Sequence, residues 1–85
     1  MPITFDNPAW VQYTEWQELD KKTLRKINKL LKSIQRDGIN TIGKVERLKG
    51  DLSGFYSARI DEKNRLVFYV VGDDIVIVSC SGHYE

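Results

Sequence analysis

A two-layer α+β fold, with a pair of helices on one face of an antiparallel sheet, is what this 85-residue sequence predicts. Three observations carry that prediction. Two successive stretches between Asp6 and Gly38 have the caps and apolar spacing of helices. From Val45 onward, β-branched and aromatic residues gather in short runs separated by Gly, Asp and Asn turn signals. The two longest runs, Arg65 to Val71 and Ile75 to Cys80, form a hairpin across Gly72-Asp73-Asp74. The predicted order is β-α-α-β-β-β-β, and the length allows one core, so residues 1–85 are read as a single domain.

Ile3-Thr4-Phe5 alternates as a short strand and stops at Asp6-Asn7-Pro8. There Asn7 is expected to cap the first helix, with Pro8 at its first position. Trp10, Tyr13 and Trp16 mark one side of that helix to about Leu19, as core or partner-facing anchors, with Glu15 and Glu18 on the other. Asp20 is the expected N-cap of a second helix, whose apolar stripe is Leu24, Ile27, Leu30, Leu31 and Ile34. It ends at Asp37-Gly38, where glycine suits a left-handed cap. With almost no loop between them the helices form an antiparallel hairpin, and both stripes need the sheet as cover.

A loop leads from Ile39 to Lys44 and a short strand from Val45 to Lys49, with Val45, Arg47 and Lys49 alternating against Glu46 and Leu48. Gly50 to Gly54 is a turn cluster, Phe55 to Ile60 a strand, and Asp61-Glu62-Lys63-Asn64 the turn before Arg65. A sheet covered on one face should alternate along each strand. Leu66 to Val71 and Ile75 to Val78 do not, so a cover is expected on the second face too, whether a protein partner, a second copy or a nucleic-acid base.

Composition narrows the function classes. One cysteine, Cys80, excludes an internal disulfide framework, and no Cys/His cluster has zinc-ligand spacing. Neither a signal peptide nor a membrane span is recognisable, which predicts a cytoplasmic protein with no membrane association. The net charge of +1 conceals a division. Residues 21–49 hold ten Lys/Arg against two acids, a charge of +8, and the remainder holds three against ten, a charge of −7. Such asymmetry points either to a polyanion on one side or to a solvated, lysine-rich helix face.

The polar residues within and beside the strands suggest one chemistry. Glu46 lies among Lys44, Arg47 and Lys49; Arg59 and Arg65 flank the 61–64 turn; the only histidine, His83, follows the last strand beside Tyr84. A carboxylate, several cations and a histidine are what metal-free RNA cleavage requires. A base takes the proton of the 2′-hydroxyl, cations stabilise the charge that builds on phosphorus, and an acid protonates the departing 5′-oxygen. Glu46 would be the base, Arg65 and Lys49 the clamp, and His83 the acid. Spacing alone leaves other readings open: a surface carboxylate at Glu46, a turn-end ion pair at Arg65, a fraying terminus at His83. Cys80 reads as a small buried hydrophobe, and Tyr84 as a base-stacking group or a cap on the sheet.

The ordered set Trp16-Gln17-Glu18, Asp20-Lys21, Lys26-Ile27-Asn28, Gly43-Lys44, Leu48-Lys49, Leu52-Ser53-Gly54-Phe55, Ser57, Arg59-Ile60, Arg65-Leu66-Val67 and His83-Tyr84 resembles the YoeB family of RelE-type toxins from end to end. The resemblance implies a RelE-like fold and the toxin of a type II toxin–antitoxin system. It implies a ribosome-dependent endoribonuclease, needing no metal or cofactor, that cuts mRNA in the A site. It also implies a cognate antitoxin of the YefM/Phd-like kind and assembly as a homodimer or a toxin–antitoxin hetero-oligomer. By position, Glu46 matches the family's general base, Arg65 its phosphate-stabilising arginine, His83 its general acid and Tyr84 the adjacent tyrosine. Lys49 and Arg59 match residues around the phosphate, and Lys44 and Arg47 are further expected RNA contacts. Two departures, Glu85 after the tyrosine and Ser81 at a position commonly basic in the family, bear on RNA affinity and cleavage preference. Two competing expectations are a relative on the same fold that acts on DNA gyrase, which has no use for a Glu/Arg/His set, and a non-enzymatic RNA-binding module in which His83 is incidental.

Overall fold

The computed structural model describes residues 1–40 and 45–82. Strand β1 is Ile3–Phe5, helix α1 Asn7–Leu19 and helix α2 Lys21–Asp37. Strands β2 (Val45–Arg47), β3 (Tyr56–Arg59), β4 (Arg65–Val71) and β5 (Asp74–Ser79) follow, with single 3₁₀ turns at Gly38–Asn40 and Gly50–Leu52. The strands form one sheet in the order β1-β5-β4-β3-β2. Strands β2 to β5 make the expected antiparallel meander, whereas β1 pairs with β5 in parallel, Ile3 opposite Ile75. The sheet is therefore mostly rather than wholly antiparallel. Parallel neighbours need a long crossover, and the helical hairpin with the meander provides it.

Both helices start on aspartates. The first cap is Asp6 and not Asn7: Asp6 N–H donates to the Ile77 carbonyl at 3.0 Å, which holds Asp6 extended, and its carboxylate accepts from Ala9 N–H at 3.1 Å. Asn7 is the first helical residue, followed by Pro8, whose missing N–H has no partner to lose there. Asp20 serves both helices. Its N–H closes α1 on the Trp16 carbonyl, while its carboxylate accepts from Lys22 N–H, Thr23 N–H and the Thr23 hydroxyl, the last at 2.8 Å. At the far end the Gly38 N–H reaches the Ile34 carbonyl, with φ of 60°.

The core lies between the helices and one sheet face. Ala9, Ile27, Leu30 and Ile34 meet Ala58, Leu66, Phe68, Ile75, Ile77 and Cys80, and Tyr56 stacks on Phe68. The inward side of α1 is Ala9, Gln12, Tyr13 and Trp16, spaced as one helical face. Trp10 falls outside it, 52% exposed, packing edge-on to Phe5 and against Tyr13. The non-alternation of β4 is resolved partly within the chain. Leu66 and Phe68 belong to the helix-side core, Val67 points to the other face and is nonetheless wholly buried, and Tyr69 meets Phe55 edge-on. At the hairpin tip Gly72 has φ of 57° and Asp73 is not positive, the pattern of a type II′ turn, so Asp74 already pairs with Val71. No helix of the described residues is long and apolar enough to cross a membrane.

Truncating Phe68 to alanine removes the largest fully buried side chain and is expected to cost about 3–5 kcal/mol in urea unfolding. Asp20 gives a pH-dependent prediction. The Thr23 hydroxyl, then the Thr23 N–H, hold its carboxyl below the ordinary 3.8. A folded pKa below the unfolded one adds stability at higher pH that is lost as the carboxylate protonates. The gap in thermal midpoint between wild type and Asp20→Ala should therefore be full at pH 7 and close as pH falls below 3.8.

Candidate functional site on the open sheet face

Register decides which charged groups meet. Val45 pairs with Ala58, and Ala58 with Leu66, all on the helix side. The residues between them point the other way. Glu46 lies opposite Ser57 and Ser57 opposite Val67, one row running across three strands; a register shift in the β4–β5 ladder ends it there, and Ser79 instead turns its hydroxyl to Gln12 of α1. One row along, Arg59 pairs directly with Arg65. Glu46, Arg59 and Arg65 thus share the face away from the helices. Glu46 and Arg59 are exposed and Arg65 is half-buried.

Like charges set directly opposite across a ladder repel. Among the described residues Arg36 pairs with Asp37 on α2, at 3.0 Å, and neither Arg59 nor Arg65 makes an ion pair with a described carboxylate. That arrangement costs the free protein stability and favours an anion on this face. The row beneath it, Ser57 and Val67, is small, uncharged and buried, so the charged groups stand around a covered centre.

Not all the expected residues gather here. Arg47 lies on the opposite face of β2, its guanidinium 5.9 Å from the centre of the Tyr56 ring. Lys49 is an exposed, extended residue of the β2–β3 connection, capping the 50–52 turn through its carbonyl. Lys44, His83 and Tyr84 lie outside the described residues.

The chain leading to His83 is described as far as Gly82, and it is held at both of its last described corners. Cys80 N–H donates to Gln12 Oε1 at 2.7 Å, and the Cys80 carbonyl accepts from Trp16 Nε1 at 2.9 Å. Gly82 N–H donates to Asn64 Oδ1, and its carbonyl accepts from Arg65 N–H, each at 2.9 Å. The segment therefore runs from α1 to the start of β4 and comes up against the backbone of Arg65. Gln12, Trp16 and Asn64 were not expected as supports of the site. Gln12 and Asn64 are polar residues in ordinary helix and turn contexts, and only the tertiary structure brings them to residues 68 and 18 positions away.

Two other features lie elsewhere. The outer side of α2 exposes Lys21, Lys22, Arg25, Lys26, Lys29, Lys32 and Arg36, on the layer opposite the Glu46 face. A groove of about 310 Å³ runs between α2 and the end of β3, lined by Lys26, Lys29, Leu30, Ser33 and Ile60. Among the described residues no cluster of His, Cys, Asp and Glu is placed to hold a metal ion.

A five-stranded sheet backed by two helices, with an acid and two arginines on the face away from them, describes a small α+β protein of the toxin-like two-layer kind. The family model for a YoeB-like toxin of bacterial type II toxin-antitoxin systems matches residues 5–84. Toxin YoeB of Streptomyces coelicolor is 46% identical over 84 residues, covering 99% of this chain and all of that protein. The YoeB/ParE toxin from Agrobacterium tumefaciens superposes with a TM-score of 0.92 at 34% identity, over 99% of this chain and 100% of that one. YoeB of Staphylococcus aureus, solved both in a heterotetrameric complex with YefM and as a dimer, gives 0.87 at 48% identity, over 99% and 98% of the two chains. The chain belongs to the YoeB-like toxins of bacterial type II toxin–antitoxin systems.

Burial pushes the Cys80 thiol up to about 11. Native Cys80 should therefore resist alkylation at pH 8, reacting about a hundredfold more slowly than in urea-unfolded protein, as followed by mass spectrometry.

Proposed function

We propose that this chain is an endoribonuclease that cleaves mRNA on the ribosome by general acid–base catalysis, without a metal, and so arrests translation in the cytoplasm. The observation that carries the reading is the shared face of Glu46, Arg59 and Arg65, with the two arginines set across the ladder from each other. In this reading residues 1–85 act as one toxin domain.

Glu46, exposed and so able to reach a substrate, takes the proton from a ribose 2′-hydroxyl. The freed oxygen attacks the adjacent phosphorus, and the P–O5′ bond breaks. Arg65 and Arg59 donate to the non-bridging oxygens, where negative charge builds in the transition state, and Lys49 adds a third cation from the β2–β3 connection. His83, the residue after the tethered Gly82, gives its proton to the leaving 5′-oxygen, and Tyr84 beside it stacks on or orients the substrate. The products are a 2′,3′-cyclic phosphate and a 5′-hydroxyl, so protons and charge balance with no added reactant.

The cations of α2 and Arg47 lie apart from the Glu46 face; these, together with Lys44, are assigned to ribosomal RNA phosphates rather than to the scissile one. Staphylococcus aureus YoeB is solved with YefM and as a dimer. We extend both assemblies to this chain: a YefM-like antitoxin as the neutralising partner, and self-association of the free toxin. Exposed Trp10, Val11, Leu19 and Val71 provide apolar surface for such contacts.

Expression of the wild type should halt growth and leave ribosome-bound mRNA with 2′,3′-cyclic phosphate ends. Glu46→Ala and His83→Ala should each lower cleavage by about a hundredfold or more, the usual size of a lost general acid or base, with the fold intact by circular dichroism. Growth arrest without RNA ends of this kind, or full cleavage by either variant, overturns the assignment.

A further inference from the structure

The turn between β3 and β4 does more than reverse the chain. Asp61 Oδ1 accepts from the Lys63 and Asn64 N–H groups, both at 2.8 Å, and from Asn64 Nδ2 at 3.1 Å; its second oxygen is 3.3 Å from the same nitrogen. A carboxylate only accepts, so the NH₂ end of the Asn64 amide must face Asp61. That leaves Oδ1 turned outward, where it takes the Gly82 N–H at 2.9 Å. The next residue, Arg65, the first of β4, holds the carbonyl of the same glycine through its N–H. Two consecutive residues thus hold both backbone groups of Gly82.

Gly82 is exposed and has φ of 77°, in the left-handed region that favours glycine. Nothing in its local sequence prefers that conformation over its competitors, and its N–H has water as an alternative partner. Upstream, Cys80 is gripped by Gln12 and Trp16 of α1, so the backbone there is already placed. Asn64 therefore controls the last free joint before His83. The Lys63 and Asn64 N–H bonds to Asp61 and the Nδ2 contact make the acceptor rigid, and the charge of Lys26 nearby further favours the ionised Asp61 carboxylate.

We propose that Asn64, oriented by Asp61, is a positioning residue for the C-terminal general acid. It fixes the Gly82 backbone beside Arg65, one residue before His83. This rests on the ribonuclease reading above. Asp61 and Asn64 touch no substrate in it and act only through the tail.

The test uses full-length toxin on programmed ribosomes under single-turnover conditions, with Asn64→Ala and the isosteric Asn64→Asp, which cannot donate to Asp61. Each should lower the saturating cleavage rate by about tenfold or more while the half-saturating toxin concentration stays within about twofold, because misplacing a catalytic group affects chemistry rather than docking. In a His83→Ala background, Asn64→Ala should cost less than about twofold more, since residues acting as a unit are not additive. Amide hydrogen exchange by NMR reads the structural half: Gly82 should exchange faster in Asn64→Ala while amides of β4 and β5 do not. Unchanged exchange at Gly82, a wild-type saturating rate in Asn64→Ala, or an equal loss with and without His83 overturns the proposal. A wild-type toxin that cleaves nothing overturns the ribonuclease reading instead, and the exchange arm still decides whether Asn64 holds the tail.

Discussion

Strand β4 is hydrogen-bonded on both sides and buries Leu66, Val67 and Phe68 in succession, and the shared face of Glu46, Arg59 and Arg65 depends on its register. Leu66 and Phe68 are sealed beneath α2 with Ile27, Leu30 and Ile34. Strand parity then turns Arg65 outward, and the ladder carries that parity through Ala58 and Val45 to Glu46. A slip by one residue would bury two arginines and a glutamate and expose the core. The apolar layer therefore holds on one face three charges that form no ion pair with one another.

The second support is three side chains bonded to backbone, joined by one backbone bond from Arg65. Cys80 and Gly82 each have both peptide groups occupied, the first by α1 and the second by the β3–β4 turn. These bonds cross the chain at sequence separations of 64, 68 and 18 residues. A segment with little apolar surface of its own is thereby held to the two layers. Trp16 illustrates the economy of the arrangement: its ring packs against the core while its N–H points to the tail.

Much of this was legible in the sequence because the deciding signals are local. Asp20 between two helical patterns, Gly38 after one, and Gly72-Asp73 between two apolar runs each act within a few residues, and the structure has the caps and turn expected there. Strand alternation also separated Glu46 from Arg47 before any pairing was known. The failures are non-local. Asp6 and Asn7 are both competent caps, and a bond to Ile77 selects Asp6. Trp10 has helical spacing with Tyr13 and Trp16, yet the inward face is shifted to include Gln12, whose polarity hid it. The parallel placement of β1 beside β5 leaves no trace in either strand. For the site, chemistry and family likeness supplied the residues, and only the ladder brings Glu46, Arg59 and Arg65 to one face.

That β1–β5 pairing also sets an order of events. Ile3 and Ile75 are neighbours across the ladder, so the first strand to be synthesised is among the last to find its partner. Until β5 emerges, β1 has no strand to join, Asp6 lacks the Ile77 carbonyl that holds it extended, and α1 has no Cys80 to grip. The helical hairpin can form early from its own caps, but the sheet closes only when residues 75–80 are available. A nascent chain therefore carries its charged groups for some time without the frame that aligns them, and their shared face arises only once β5 has joined the sheet.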